Sequence, residues 1–236
     1  MALAFSRSSV GDDQAMKLRN IGSEILGTAV LVMTVVGSGI MAQKLSSDTG
    51  VQLLINSLCT AAILYLLITI LGDVSGAHFN PLVSLIAAYK KDMKVSESLA
   101  YVASQFAGGF IGVALANLMF ELPAFKASTH IRSGDHLYLS EVIATAGLIF
   151  IIFAALDQKR EKKIPNLVAC WIGAAYFFTS STSFANPAVT FARGWSDTFA
   201  GIAPKSIAPF IATQIVGAIL GLFLSKSLSA KSKGKK

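Results

Sequence analysis

Two short runs place the same pair of residues in the same setting: His78-Phe79-Asn80-Pro81-Leu82 and Phe184-Ala185-Asn186-Pro187-Ala188. Asparagine is a preferred helix N-cap, and proline is favoured at the first helical position, where its missing N–H costs nothing. Each pair therefore predicts the start of a helix. The apolar stretch that follows is only about ten residues, or about 15 Å of helix, half the thickness of a bilayer core. A carboxamide held at such a start can do more than cap, because its NH2 group can donate to a passing oxygen. Two carboxylates, Glu24 and Glu141, lie in otherwise apolar surroundings. Such a group is either a proton relay or a structural anchor. No nucleophile–base pair or metal cluster is visible: Cys59 and Cys170 fall inside apolar runs, and His130 and His136 lack a neighbouring cysteine or carboxylate cluster. The chemistry on offer is recognition rather than catalysis, with no cofactor and no metal.

The elements that must position these residues are long and apolar. Six segments stand out, at about 21–43, 51–72, 95–119, 138–157, 164–183 and 205–226. The chain is 53% hydrophobic and 14% charged, with a mean hydropathy of +0.62. A soluble domain carries nearer a quarter charged residues, so the polar surface is too small to face water on all sides. The net charge of +7 then reflects basic cytoplasmic loops rather than a nucleic-acid partner. With the N-terminus inside, fifteen of the 20 basic residues fall in cytoplasmic segments, leaving Lys44, Lys126, Arg132, Arg193 and Lys205 outside. That asymmetry and the even number of spans place both termini in the cytoplasm.

The chain also repeats itself. Ser23-Glu24 with Thr28-Ala29 and Leu31 opens the first span, and Ser140-Glu141 with Thr145-Ala146 and Leu148 opens the fourth. Gln105, Gly108 and Gly112 in the third span match Gln214, Gly217 and Gly221 in the sixth. Three spans per half force the halves into opposite orientations. The expected fold is an all-α membrane protein of six transmembrane helices plus two re-entrant half-helices in an inverted 3+3 repeat. In it the two half-helix N-termini meet from opposite faces, each with about half a positive charge, a barrier to protons and other cations. The loops at 74–78 and 180–183 would line a wet cavity, the one place where irregular backbone is tolerated at that depth.

The doubled motif, Ser75-Gly76-Ala77-His78-Phe79-Asn80-Pro81-Leu82 with Asn186-Pro187-Ala188, resembles the twin signature of aquaporins and aquaglyceroporins over about residues 20–226. The resemblance implies a homotetramer with one pore per subunit, a pore midplane at Asn80, Pro81, Leu82, Asn186, Pro187 and Ala188, and loop-bracing roles for Glu24 and Glu141. It divides the chain into a cytoplasmic segment at 1–20, one channel domain at 21–226 and a basic tail at 227–236. Within the channel domain the repeats run from about 21–119 and 138–226. The partners implied are the bilayer and small neutral solutes.

Two departures stand out, the first a mild apolar change and the second the one that matters more. Leu82 stands where the family has alanine, and Val189 stands where it usually has a filter arginine. By ungapped spacing the other filter positions fall at Thr60, Ala174 and Ser183. All four residues are small, which predicts a wide outer constriction without a fixed cation, passing water, glycerol, urea-like molecules or neutral metalloid hydroxides such as arsenite. The stretch from Asn186 to Gly201 is similar to a bacterial branch associated with arsenic-resistance genes, which implies a bacterial plasma membrane. Arg193, one turn beyond Val189, either reaches back towards the pore or snorkels outward before Gly194. His78 either lines the inner entrance or packs against its loop. A coupled transporter and a channel with cation leak are the competing readings.

Overall fold

The structure is a computed structural model and describes residues 10–229. Most of the basic tail read at 227–236, and the start of the N-terminal segment, lie outside these residues. Among the described residues there are eight α-helices, one 3-10 turn and no strand. Six helices are long: α1 (Val10–Leu45), α2 (Thr49–Ser75), α4 (Val95–Met119), α5 (Asp135–Asp157), α6 (Ile164–Phe178) and α8 (Pro204–Ser229). The half-helices are α3 (Pro81–Tyr89) and α7 (Pro187–Arg193). Each follows the second long helix of its half, the order the repeat predicts.

Two boundaries differ from the sequence reading. Helix α1 is already formed at Val10, the first described residue, rather than starting near residue 21, because Ala15-Met16-Lys17-Leu18-Arg19 favours helix while being too polar to register as a span. Helix α6 stops at Phe178, before the predicted residue 183, and is 15 residues long. The other five long helices are long and apolar enough to cross a membrane. At about 22 Å, α6 falls short of the hydrocarbon core. The run from Thr179 to Asn186 leaves the helix because its peptides are used elsewhere.

Packing follows the small residues. Helix α1 packs most extensively on α4, and α5 on α8. A Cβ on Gly108 or Gly112 would collide with the carbonyl oxygens of Ile25 or Ala29 on α1. One on Gly217 or Gly221 would collide with those of Val142 or Ala146 on α5. The two crossings are thus copies of each other, each held at backbone contact by a small-residue stripe. Large apolar side chains such as Leu58, Ile70, Phe177, Ile219 and Phe223 remain exposed on the outer faces, where a lipid solvent accepts them.

Candidate functional site

The half-helices meet tip to tip. Asn80 accepts from the Leu82 amide at 3.0 Å, and Asn186 from the Ala188 and Val189 amides at 3.0 and 3.3 Å, so both are N-caps. Each carboxamide also crosses to the other half. Asn80 Nδ2 donates to the Ala185 carbonyl at 2.8 Å, and Asn186 Nδ2 donates to the Phe79 carbonyl at 2.7 Å. A carboxamide nitrogen carries two donors, so each asparagine keeps one N–H beyond this exchange.

The approach loops repeat each other residue for residue. Gly76, Ala77 and Phe79 have φ of 85°, 49° and 47°, and Thr182, Ser183 and Ala185 have 62°, 52° and 47°. Left-handed conformations on non-glycine residues cost about 1–3 kcal/mol each and persist only where the surroundings enforce them. The enforcement comes from the two buried glutamates. Glu24 accepts from the His78 and Phe79 amides at 3.0 and 2.8 Å, from Ser75 Oγ at 2.7 Å and from Gln105 Nε2 at 2.8 Å. Glu141 accepts from the Phe184 and Ala185 amides, both at 2.9 Å, and from Gln214 Nε2 at 2.7 Å. Each glutamine reaches on to the fourth residue after its asparagine, Gln105 to Ser84 Oγ at 3.0 Å and Gln214 to Thr190 Oγ1 at 2.8 Å. In a planar trans peptide the carbonyl opposes the N–H. The Ala77, His78, Ser183 and Phe184 carbonyls therefore point away from the carboxylates.

The same loops, at Gly76–Asn80 and Ser183–Asn186, form part of the wall of a cavity of about 440 Å³. Asn80, Asn186, Thr60, Ser183, Val189, His78 and Arg193 all line it. Pro81, Leu82, Pro187 and Ala188 are buried behind the asparagines, and Leu82 packs into an apolar cluster with Ile149 and Phe153. His78 places Nδ1 3.0 Å from the Ser84 hydroxyl and its ring edge-on to Tyr101, so it packs against its surroundings while lining the cavity.

The fifth-helix position requires correction. Ala174 is exposed on the outside of α6, whereas Ile172 and Tyr176 line the cavity. At about 100° per residue, positions 172 and 176 share a face and 174 lies nearly opposite. Spacing from the asparagine could not set this register, because the chain leaves the helix at Thr179. Tyr176 is 2% exposed, and its hydroxyl lies 3.0 Å from Thr60 Oγ1. A tyrosine within an apolar helix, four residues from Ile172, was the available signal.

Val189 is neutral, and of the two placements open to Arg193 the structure shows the inward one. Arg193 is buried, its Nε donates to the Ala200 carbonyl, and its guanidinium lies 3.4 Å from the Phe184 ring centroid. It does not snorkel outward. At the opposite end Lys90 pairs with Asp157 at 2.7 Å.

A strap of loop residues holds this region. The Lys126 and Ser128 amides donate to the Trp195 and Gly194 carbonyls, and Asp197 accepts from the Thr129 amide and hydroxyl and pairs with Lys126. These bonds, the Thr129 amide first, depress the Asp197 pKa from 3.8 to about 2. A depressed carboxyl stabilises the fold fully above its unfolded pKa and loses that contribution as pH falls through the folded one. The protection factor of the Thr129 amide, its exchange rate relative to that of an unstructured peptide at the same pH, is therefore expected to hold steady above pH 4 and fall between pH 4 and 2, with Asp197→Asn flattening the profile.

Against this geometry, the model of the major intrinsic protein family matches residues 13–184, well over half of the chain. The chain belongs to the major intrinsic protein family. Within that family it is similar to an aquaglyceroporin, AqpS, of Rhizobium meliloti (strain 1021), at 47% identity over 210 residues, 89% of this chain and 90% of that one. A probable aquaporin of TIP type from Medicago truncatula is 28% identical over 184 residues, 72% of each chain. The X-ray structure of the aquaglyceroporin from Plasmodium falciparum shares the fold, with a TM-score of 0.65 and 19% identity over 90% of this chain and 97% of that one. The family match ends at Phe184. The second Asn-Pro of this major intrinsic protein is tied to the first by the reciprocal amide bonds.

Proposed function

We propose that this integral membrane protein is a passive channel for small uncharged solutes, conducting water and glycerol and, through the same pore, neutral metalloid hydroxides such as arsenite. One observation carries the reading: two asparagine caps, one from each half, stand in the wall of one cavity and each bonds to the other's approach loop. A solute oxygen accepts from the free carboxamide N–H groups at the junction while its hydroxyls donate to the carbonyls on either side. A water that accepts from both asparagines has its donors turned outward in both directions, which breaks a proton wire. The facing helix N-termini oppose cations at the same point.

Both glutamates are saturated by donors, which suits anchors rather than the mobile carboxylate of a proton-coupled transporter. Val189 in place of a filter arginine leaves lateral room beside the Thr60–Tyr176 hydroxyl pair, in keeping with the aquaglyceroporin relative. The exposed apolar faces fit lipid and neighbouring copies in a homotetramer, with both termini in the cytoplasm of a bacterial plasma membrane.

The test is stopped-flow swelling of proteoliposomes with water, glycerol, urea and arsenite compared side by side. Water and glycerol flux well above empty vesicles is expected, with no dependence on proton or sodium gradients. Water conduction with glycerol and arsenite both excluded would sink the size claim.

A further inference from the structure

The charges at the two ends of the cavity are handled differently. At the inner end Lys90 is neutralised by Asp157 at 2.7 Å. At the outer end two guanidinium groups flank one ring: Arg193 lies 3.4 Å and Arg132 5.1 Å from the Phe184 centroid. Among the described residues neither has a carboxylate within 4.0 Å. The Glu141 carboxylate just inward is taken up by the Phe184 and Ala185 amides and Gln214.

Both arginines are tied to one three-residue segment. Arg132 Nε donates to the Gly201 carbonyl at 2.9 Å and Nη2 to that of Phe199 at 3.4 Å, while Arg193 Nε donates to the Ala200 carbonyl between them. The carbonyls at 199–201 thus clamp the two side chains around Phe184. Arg132 comes from the loop between α4 and α5, which links the halves. Arg193 has four further N–H donors on its terminal nitrogens and lines the cavity one turn, about 5.4 Å, beyond Val189. Position 189 is neutral, and the cation at this end of the cavity wall stands one turn further along α7.

We propose that Arg193 is the specificity-determining cation of the outer constriction, and that Arg132 is a positioning residue that holds it there through Phe184 and the 199–201 carbonyls. The inference rests on the channel reading above. A guanidinium on the cavity wall without a carboxylate partner repels an entering cation and puts no such charge barrier before a neutral solute. Its N–H groups give a hydroxylated solute its first hydrogen bonds on entry.

The experiment measures sodium flux and water flux in the same proteoliposomes for wild type, Arg193→Ala, Arg193→Gln, Arg132→Ala, the Arg132→Ala/Arg193→Ala pair and the Val189→Arg/Arg193→Ala pair. Wild type should conduct water and exclude sodium. Loss of Arg193 should raise the sodium-to-water flux ratio by about tenfold or more, with Arg193→Gln confirming the effect should the alanine variant fold poorly. Arg132→Ala should give a smaller rise that vanishes in the Arg193→Ala background. Moving the arginine to position 189, on the same wall, should restore exclusion. Water-conducting Arg193→Ala and Arg193→Gln channels that still exclude sodium would overturn the assignment. An Arg132→Ala effect that persists without Arg193 would overturn the positioning role. Wild-type vesicles that conduct no water would overturn the channel reading itself, and this inference with it.

Discussion

Glu24→Ala is expected to yield no stable, water-conducting protein. The substitution orphans the His78 and Phe79 amides, together with the Ser75 hydroxyl and one Gln105 donor. Each unpaired buried amide costs about 1–3 kcal/mol, so the two amides alone remove roughly 2–6 kcal/mol from a net stability of about 5–15 kcal/mol. The loss also releases the left-handed turns at Ala77 and Phe79, whose strain the carboxylate offsets. Glu141→Ala should behave alike, because Phe184 and Ala185 depend on it in the same way. Thermal unfolding in detergent and water flux after reconstitution check both. A proton-relay carboxylate predicts the opposite pattern, a well-folded Glu24→Gln variant whose only defect is proton coupling.

Gly112→Val should be comparably severe for a different reason. The new Cβ would meet the Ala29 carbonyl oxygen, a backbone atom that cannot rotate aside, so α1 and α4 must separate. Overpacking of this kind costs about 3 kcal/mol. Gly221→Val should match it in the second half, where Ala146 plays the same part. The control is Gly22→Ala on α1, which meets nothing within 4 Å and should gain up to about 1 kcal/mol from helix propensity. A Gly112→Val protein with a wild-type melting temperature would show that the close crossing is not required.

The parts of this molecule that were legible in the sequence are those written twice. Asn80 and Asn186, Glu24 and Glu141, and the paired glycines each point to the same place because the other half repeats them. Gln105 and Gln214 were visible as repeats, but their role as the link from glutamate to half-helix emerged only from the geometry. Residues used once were hidden. Tyr176 was missed because helical register cannot be counted across the non-helical run from Thr179 to Asn186. Arg132 was missed because its partners are carbonyl oxygens and a ring, which leave no trace in residue type. Thr182, Ser183 and Ala185 carry no glycine to advertise their positive φ; a buried carboxylate imposes it.

The exchange of amide bonds between the asparagines has a consequence for how the protein is made. Asn80 bonds to a carbonyl 105 positions further along the chain, and Phe79 waits for an amide 107 positions away. At about 5–20 residues per second, the first partner exists roughly 5–20 s before the second. Everything that braces the first loop, Glu24, Ser75 and Gln105, is already present when α4 is complete. The first repeat can therefore bend its own loop, yet its tip stays unpaired until α7 arrives. Closure at the junction waits on the second half, whose own brace, Gln214, arrives later still on α8, and a chain arrested between the halves holds a finished loop with nothing to meet.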